Sequence, residues 1–101
     1  MLSPTRQRAL EKVKRIVLSG LGNHRARVYL FGSCARGEVW HGSDIDVAID
    51  SDEDLPRSVM IGIRDALEES TVPYFVDVVD LTKADEQFKA RVMAEGVLWT
   101  G

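Results

Sequence analysis

Apolar residues along the chain follow two different periods. Ala9, Leu10, Val13, Ile16 and Val17 recur at helical spacing behind a Ser3-Pro4 start, with Ser3 as N-cap and Gly20 closing the run. Arg27 to Phe31 (RVYLF), bounded by Gly32, has the Val, Tyr and Phe content of a strand. From Asp44 to Asp50 the alternation is strict: Ile45, Val47 and Ile49 face one way, and Asp44, Asp46, Ala48 and Asp50 the other. Leu55, Val59, Ile63, Ala66 and Leu67 predict a second helix, with Asp54 as its N-cap. Pro73 to Leu81 (PYFVDVVDL) predicts a third strand. Thr82-Lys83-Ala84-Asp85 reads as a capping box opening a last helix, with Phe88, Val92 and Met93 as its apolar stripe. Gly96 stops it, and Val97-Leu98-Trp99 reads as a short terminal strand.

The order α-β-β-α-β-α predicts an α/β (α+β) fold, a small mixed β-sheet with helices packed on one face. The Ile45/Val47/Ile49 side then meets the helices and the aspartate side is left open. The 101 residues fit a single domain spanning 1–101, without repeats or linkers, and 45% hydrophobic with 29% charged residues is ordinary for one core.

Charge narrows the function classes. Thirteen Lys and Arg against 16 Asp and Glu give a net charge of -3, so no direct DNA or RNA binding is expected. Arg6, Arg8, Lys12, Lys14, Arg15, Arg25 and Arg27 make a locally basic stretch, read as a solvated helix face in preference to a phosphate-binding surface. The single cysteine, Cys34, excludes an intramolecular disulfide and reads as a small buried filler. With no apolar run approaching ~18 residues and no signal-like start, a cytoplasmic protein without a membrane partner is expected.

Candidate chemistry lies on the aspartate side. Asp44 and Asp46 stand two apart on a strand, which sets their Cα atoms roughly 6.5–7 Å apart on one face. Such a pair can share one hard cation and reach a second, since two-metal sites hold their ions about 3.5–4 Å apart. The third strand offers Asp77 or Asp80. If Val76 and Val78 point to the helices, Asp77 joins the pair, whereas Asp80 falls on the other face. Gly32-Ser33 ends the first strand, where a glycine permits close backbone approach and the N–H groups and Ser33 hydroxyl can cradle a phosphate. Arg36 can pair with the same triphosphate. Carboxylates beside a Gly-Ser phosphate loop imply a nucleoside triphosphate.

Other features read as structural. A bare Asp-x-Asp is usually solvated acid and also occurs in glycosyltransferases; the Gly-Ser turn and Asp77 turn the reading towards a metal. Asp50 to Asp54 opens like an EF-hand loop, but Leu55 stands where glycine belongs and Ile61 where the bidentate glutamate belongs. Neither His24 nor His41 has a nucleophile partner in evidence. Trp40 fits base stacking, partner contact or a loop anchor, Trp99 fits core or edge packing, and Gly37 and Gly42 fit turns.

Gly32-Ser33, ten residues, then Asp44-Ile45-Asp46 resembles the G-S-x₁₀-D-x-D pattern of the polymerase-beta-like nucleotidyltransferase superfamily. Four such fixed positions arise by chance in about one chain in a thousand of this size. The stretches LFGSCARGEVWHGSDIDVAID, VDVVDL and AEGVLW are similar to its minimal subfamily, so the resemblance covers essentially the whole chain. It implies that Gly32 and Ser33 bind the β,γ-phosphates of ATP, with Arg36 nearby, and that Asp44 and Asp46 hold Mg²⁺, as two ions. It implies for Asp77 a share of the catalytic metal and activation of the acceptor hydroxyl. Minimal members resemble antitoxins paired with HEPN-domain toxins, which implies transfer of AMP from ATP to a tyrosine of a HEPN ribonuclease. The alternatives are a non-catalytic binding antitoxin and a small-molecule nucleotidyltransferase acting as a homodimer. Because the chain ends close to the end of the core, the acceptor surface is expected from another molecule or from a second subunit of a homo-oligomer.

Overall fold

A computed structural model describes residues 4–32 and 44–99. In chain order these form α1 (Pro4–Leu21), β1 (Ala26–Phe31), β2 (Ile45–Ser51), α2 (Arg57–Glu69), β3 (Val76–Asp80), a 3₁₀ turn (Leu81–Lys83), α3 (Glu86–Glu95) and β4 (Val97–Leu98). The four strands make one mixed sheet in the order β3-β2-β1-β4. β1 runs antiparallel to both β2 and β4, and β2 pairs parallel with β3 through the α2 crossover that parallel neighbours require.

The main core lies on the side that the alternation predicts. Ile45, Val47 and Ile49 are wholly buried, and with Val28, Leu30 and Val78 they meet the stripes Ala9, Val13, Val17, Leu21 of α1 and Met60, Ile63, Leu67 of α2. Ala66, predicted on that stripe, is exposed. Burial of these side chains, worth roughly 1.5–3 kcal/mol for each large aliphatic, is what holds two helices on this face.

The third helix goes to the opposite face. Val92 is buried there with Tyr29, Ala48 and Leu81, and Phe31, Val79, Ala84 and Phe88 pack around them. Among the described residues, the aspartate side is therefore covered at Ala48 and half-open at Asp46. The physical reason is that β1 presents Tyr29 and Phe31 on this side, and those rings need cover. Met93, predicted in the apolar stripe of α3, is instead 44% exposed.

Several boundaries differ from the sequence expectation. α1 runs through Gly20 to Leu21 and ends at Gly22, whose φ of 57° is the left-handed turn that glycine adopts without strain. Pro56, not Asp54, precedes α2, and no side chain caps that end. The predicted capping box resolves into two separate caps. Asp80 accepts from the Thr82 N–H at 3.0 Å and starts the 3₁₀ turn, and Asp85 accepts from the Phe88 N–H at 2.8 Å and starts α3. Thr82 thus sits one turn too early to be the N-cap. β3 is shorter than the predicted 73–81, although the Phe75 carbonyl still accepts from the Ile45 N–H at 2.9 Å.

Of the basic stretch, Arg8, Arg15 and Arg25 are exposed, while Arg6 and Arg27 are tied into the fold. Arg6 is buried with its guanidinium 3.7 Å from the centre of the Tyr74 ring. Arg27 donates to Asp50 at 3.0 Å and to Asp52 at 3.1 Å; the hydrogen bond to Asp50 raises the Arg27 pKa further above its ordinary value. Lys89 of α3 reaches the other oxygen of the buried Asp50 at 3.4 Å, which ties α3 to β2. Trp99 is half-buried against the main core, and its backbone N–H donates to Val28 at 2.7 Å. Among the described residues no helix is long and apolar enough to cross a membrane.

Gly20 marks the closest approach of α1 to α2, since a Cβ built there would overlap the Ile63 side chain. Gly20→Ala gains about 1 kcal/mol of helix propensity but overpacks the contact at about 1–3 kcal/mol. A net loss of stability is expected on chemical denaturation, and the loss caused by Gly20→Ala should be smaller in an Ile63→Ala background than in the wild type. Additive losses in that double-mutant cycle would contradict the contact.

Candidate active site

β2 and β3 are in register with Asp46 directly opposite Asp77, and on its other side Asp46 is opposite Phe31 of β1. Alternation does the rest. Val78 is buried in the main core and Val76 packs against it, so Asp77 stands on the Asp46 side of the sheet. Asp80, the other candidate, caps the turn after β3 and is accounted for structurally. Asp44 lies just before β2 and is exposed.

Gly32 ends β1 with φ 74°, and a Cβ built on it would overlap the Asp46 carboxylate. Two independent demands therefore fall on this position, a left-handed backbone and an open approach to Asp46, and glycine alone meets both. Ser33 and Arg36 lie outside the described residues, as do Ser3, Cys34, Gly37, Trp40, His41 and Gly42. Of the six site residues read from the sequence, the structure thus brings together Gly32, Asp46 and Asp77, with Asp44 at the strand entrance.

Two neighbouring carboxylates act on Asp46. Asp46 is pushed above the ordinary carboxylate value of 3.8, first by burial and then by the charges of Asp77 and Asp44. Among the described residues no group of three His, Cys, Asp or Glu side chains is arranged so that it could hold a metal ion unaided. Mg²⁺ is commonly held by one or two carboxylates together with substrate phosphates, not by an all-protein cage. Among the described residues the donors are hard carboxylate oxygens, and the part of the Asp46 shift that comes from Asp77 and Asp44 is what a cation between the carboxylates would relieve.

Two features of the site were not read from the sequence. Phe31 and Phe88 meet edge to face, with ring centres 5.8 Å apart, and pack α3 against β1 on the side of the sheet that Asp46 faces. Phe31 shares the parity of Asp46 through the antiparallel register, which the sequence does not print. Asp50, placed by alternation on the same face as Asp46, is instead taken up by Arg27 and Lys89.

The polymerase beta nucleotidyltransferase family model matches residues 12–100, and the chain belongs to that family. Among individual relatives, a probable protein adenylyltransferase MntA of Haemophilus influenzae is 36% identical over 62 residues, covering 61% of this chain and 54% of that protein. The match thus spans about half the length of that curated relative. Among solved structures, a toxin–antitoxin with AMP-PNP aligns with a TM-score of 0.74 at 26% identity, over 90% of this chain and 72% of the other. A complex of tri-AMPylated Shewanella oneidensis HEPN toxin with its MNT antitoxin has a TM-score of 0.69 at 24% identity, over 94% and 71%, and speaks for the fold.

The raised Asp46 has a signed consequence for stability. Its folded-state pKa lies above the unfolded value, so the stability it allows is fully present below 3.8 and is lost as pH rises through the folded value. Without divalent cations at pH 7, Asp46→Asn should therefore raise Tm. The gain should vanish at a pH below 3.8. Differential scanning fluorimetry at the two pH values reads this, and a lower Tm for the variant at pH 7 would contradict the strained carboxylate pair.

Proposed function

We propose that this chain is a Mg²⁺-dependent protein adenylyltransferase of the antitoxin kind, moving AMP from ATP to a tyrosine of a HEPN-domain ribonuclease. The observation that carries the reading is the register pairing of Asp46 with Asp77 under the Gly32 turn, in a chain of the polymerase beta nucleotidyltransferase family. The adenylyltransferase relative and the AMP-PNP-bound toxin–antitoxin supply its substrate and partner classes. Tyrosine as acceptor rests on the sequence resemblance.

Each residue has a defined part. Asp46 and Asp77, with Asp44 from the strand entrance, would hold Mg²⁺, which would supply neutralisation of charge on the triphosphate and on the leaving pyrophosphate. The backbone around Gly32, with Ser33 and Arg36 following, receives the β,γ-phosphates. Asp77, the outermost carboxylate, takes the proton of the acceptor hydroxyl. The acceptor oxygen then forms a bond to the α-phosphorus as the bond to the bridging oxygen breaks, and pyrophosphate leaves. No covalent enzyme intermediate is needed, so the work of the protein is positioning and electrostatics.

The test is intact-mass and peptide mass spectrometry of a co-expressed HEPN-domain protein after incubation with this chain, ATP and Mg²⁺. One or more AMP groups on tyrosine are expected, none with Asp44→Asn/Asp46→Asn, and an Asp77→Asn rate lower by about 10²–10⁴-fold. A tight complex that neutralises the toxin with no mass change would overturn the enzymatic reading in favour of a binding-only antitoxin.

A further inference from the structure

We infer that Phe75 receives the acceptor side chain: its ring stacks on the ring of the incoming tyrosine and sets the phenolic hydroxyl at Asp77. The inference rests on the proposed function and adds the residue of this chain that recognises the acceptor. Burial alternates along this segment, with Tyr74, Val76 and Val78 packed into the main core and Phe75 and Asp77 exposed between them. Phe75 therefore leaves the sheet on the same face as Asp77. The ladder reaches it, because its carbonyl accepts from the Ile45 N–H at 2.9 Å. Ile45 is opposite Val76, so one residue earlier Phe75 stands beside Asp44, as Asp77 stands beside Asp46. One aromatic ring and three carboxylates thus occupy four neighbouring positions on one face.

Phe75 is 68% exposed, the most exposed of the large apolar side chains among the described residues, and it joins neither of their two apolar clusters. Core packing does not account for it. A ring left open beside a reactive group is available to a ligand ring, and such pairs settle offset or edge to face with centres about 4.5–7 Å apart. Residues two apart on a strand are separated by roughly 6.5–7 Å. A phenol resting on Phe75 therefore carries its hydroxyl within reach of the Asp77 carboxylate. A serine or threonine hydroxyl, having no ring, gains nothing from the same contact.

Position in the sheet assigns this ring to the acceptor and not to the adenine. Gly32, Asp46 and Asp77 follow one another across β1, β2 and β3, and no described strand pairs beyond β3. In-line displacement requires the acceptor to enter opposite the leaving pyrophosphate. With the β,γ-phosphates at Gly32, entry is over the β3 edge, where Phe75 stands. Asp77 takes the phenolic proton, the phenolic oxygen bonds to the α-phosphorus, and the bond to the bridging oxygen breaks as pyrophosphate leaves. Phe75 takes no part in these bond changes; it selects an aromatic acceptor and orients it.

The experiment measures steady-state AMP transfer from ATP with Mg²⁺ to a HEPN-domain protein, with affinity for AMP-PNP read by titration calorimetry alongside. Phe75→Ala should lower kcat/KM for the acceptor by about tenfold and Phe75→Leu by nearly as much, whereas Phe75→Trp, which keeps a ring, should stay within about twofold of the wild type. Affinity for AMP-PNP with Mg²⁺ should be the same within about twofold in all three. Ile61→Ala, which removes an exposed apolar side chain from α2, should alter neither quantity. Wild-type kcat/KM in Phe75→Ala, or a Phe75→Trp as impaired as Phe75→Leu, would overturn the acceptor contact. Loss of AMP-PNP affinity in Phe75→Ala would overturn it too, by making Phe75 a contact of the base. No AMP transfer by the wild-type chain would overturn the proposed function, and this inference with it.

Discussion

Two like charges set side by side determine how the rest of this molecule is built. Asp46 and Asp77 face each other across a parallel ladder, where directly opposed carboxylates destabilise the pairing. The ladder holds because the other face of the same two strands buries Ile45, Val47, Ile49 and Val78 completely or nearly so. Alternation makes the two facts inseparable: slipping β3 by one residue to separate the carboxylates would turn Val78 out of the core. The repulsion is thus retained by packing on the far side of the sheet, and a cation is what would turn it to use.

Division of labour between the two faces follows. α1 and α2 take the apolar face, and α3 takes the far end of the other, held by Val92, Phe88 and the Lys89–Asp50 ion pair. That arrangement seals Ala48 and Asp50 while the Asp46 end stays accessible. Alternating aspartates along β2 therefore have different fates: Asp46 faces the site, and Asp50, two pairs further on, is a buried structural anion satisfied by two cations.

The elements and the carboxylates were legible in the sequence, because period two along β2 and parity along β3 are local signals. Choosing Asp77 over Asp80 needed only the orientation of Val76 and Val78, and Asp80 turns out to cap the following turn. What escaped was non-local. The face taken by α3 depends on Tyr29 and Phe31 across β1, and the pairing of Phe31 with Asp46 depends on register, neither of which is written in a single segment. Caps misled for a related reason. Thr82 and Asp54 have suitable side chains, yet Asp85 and the backbone at Pro56 lie where the helices begin.

The central claim is that a divalent cation with its nucleotide sits between Gly32, Asp46 and Asp77. Mn²⁺ replaces Mg²⁺ in oxygen-ligand sites and broadens nearby resonances, so its addition with AMP-PNP to isotope-labelled protein tests this directly. The expected result is broadening that is strongest at the Gly32, Asp46 and Asp77 amides and falls off with distance along β2 and β3, leaving Asp54 least affected. Broadening centred on the acidic turn at Asp50 to Asp54, or spread evenly over the surface, would contradict it.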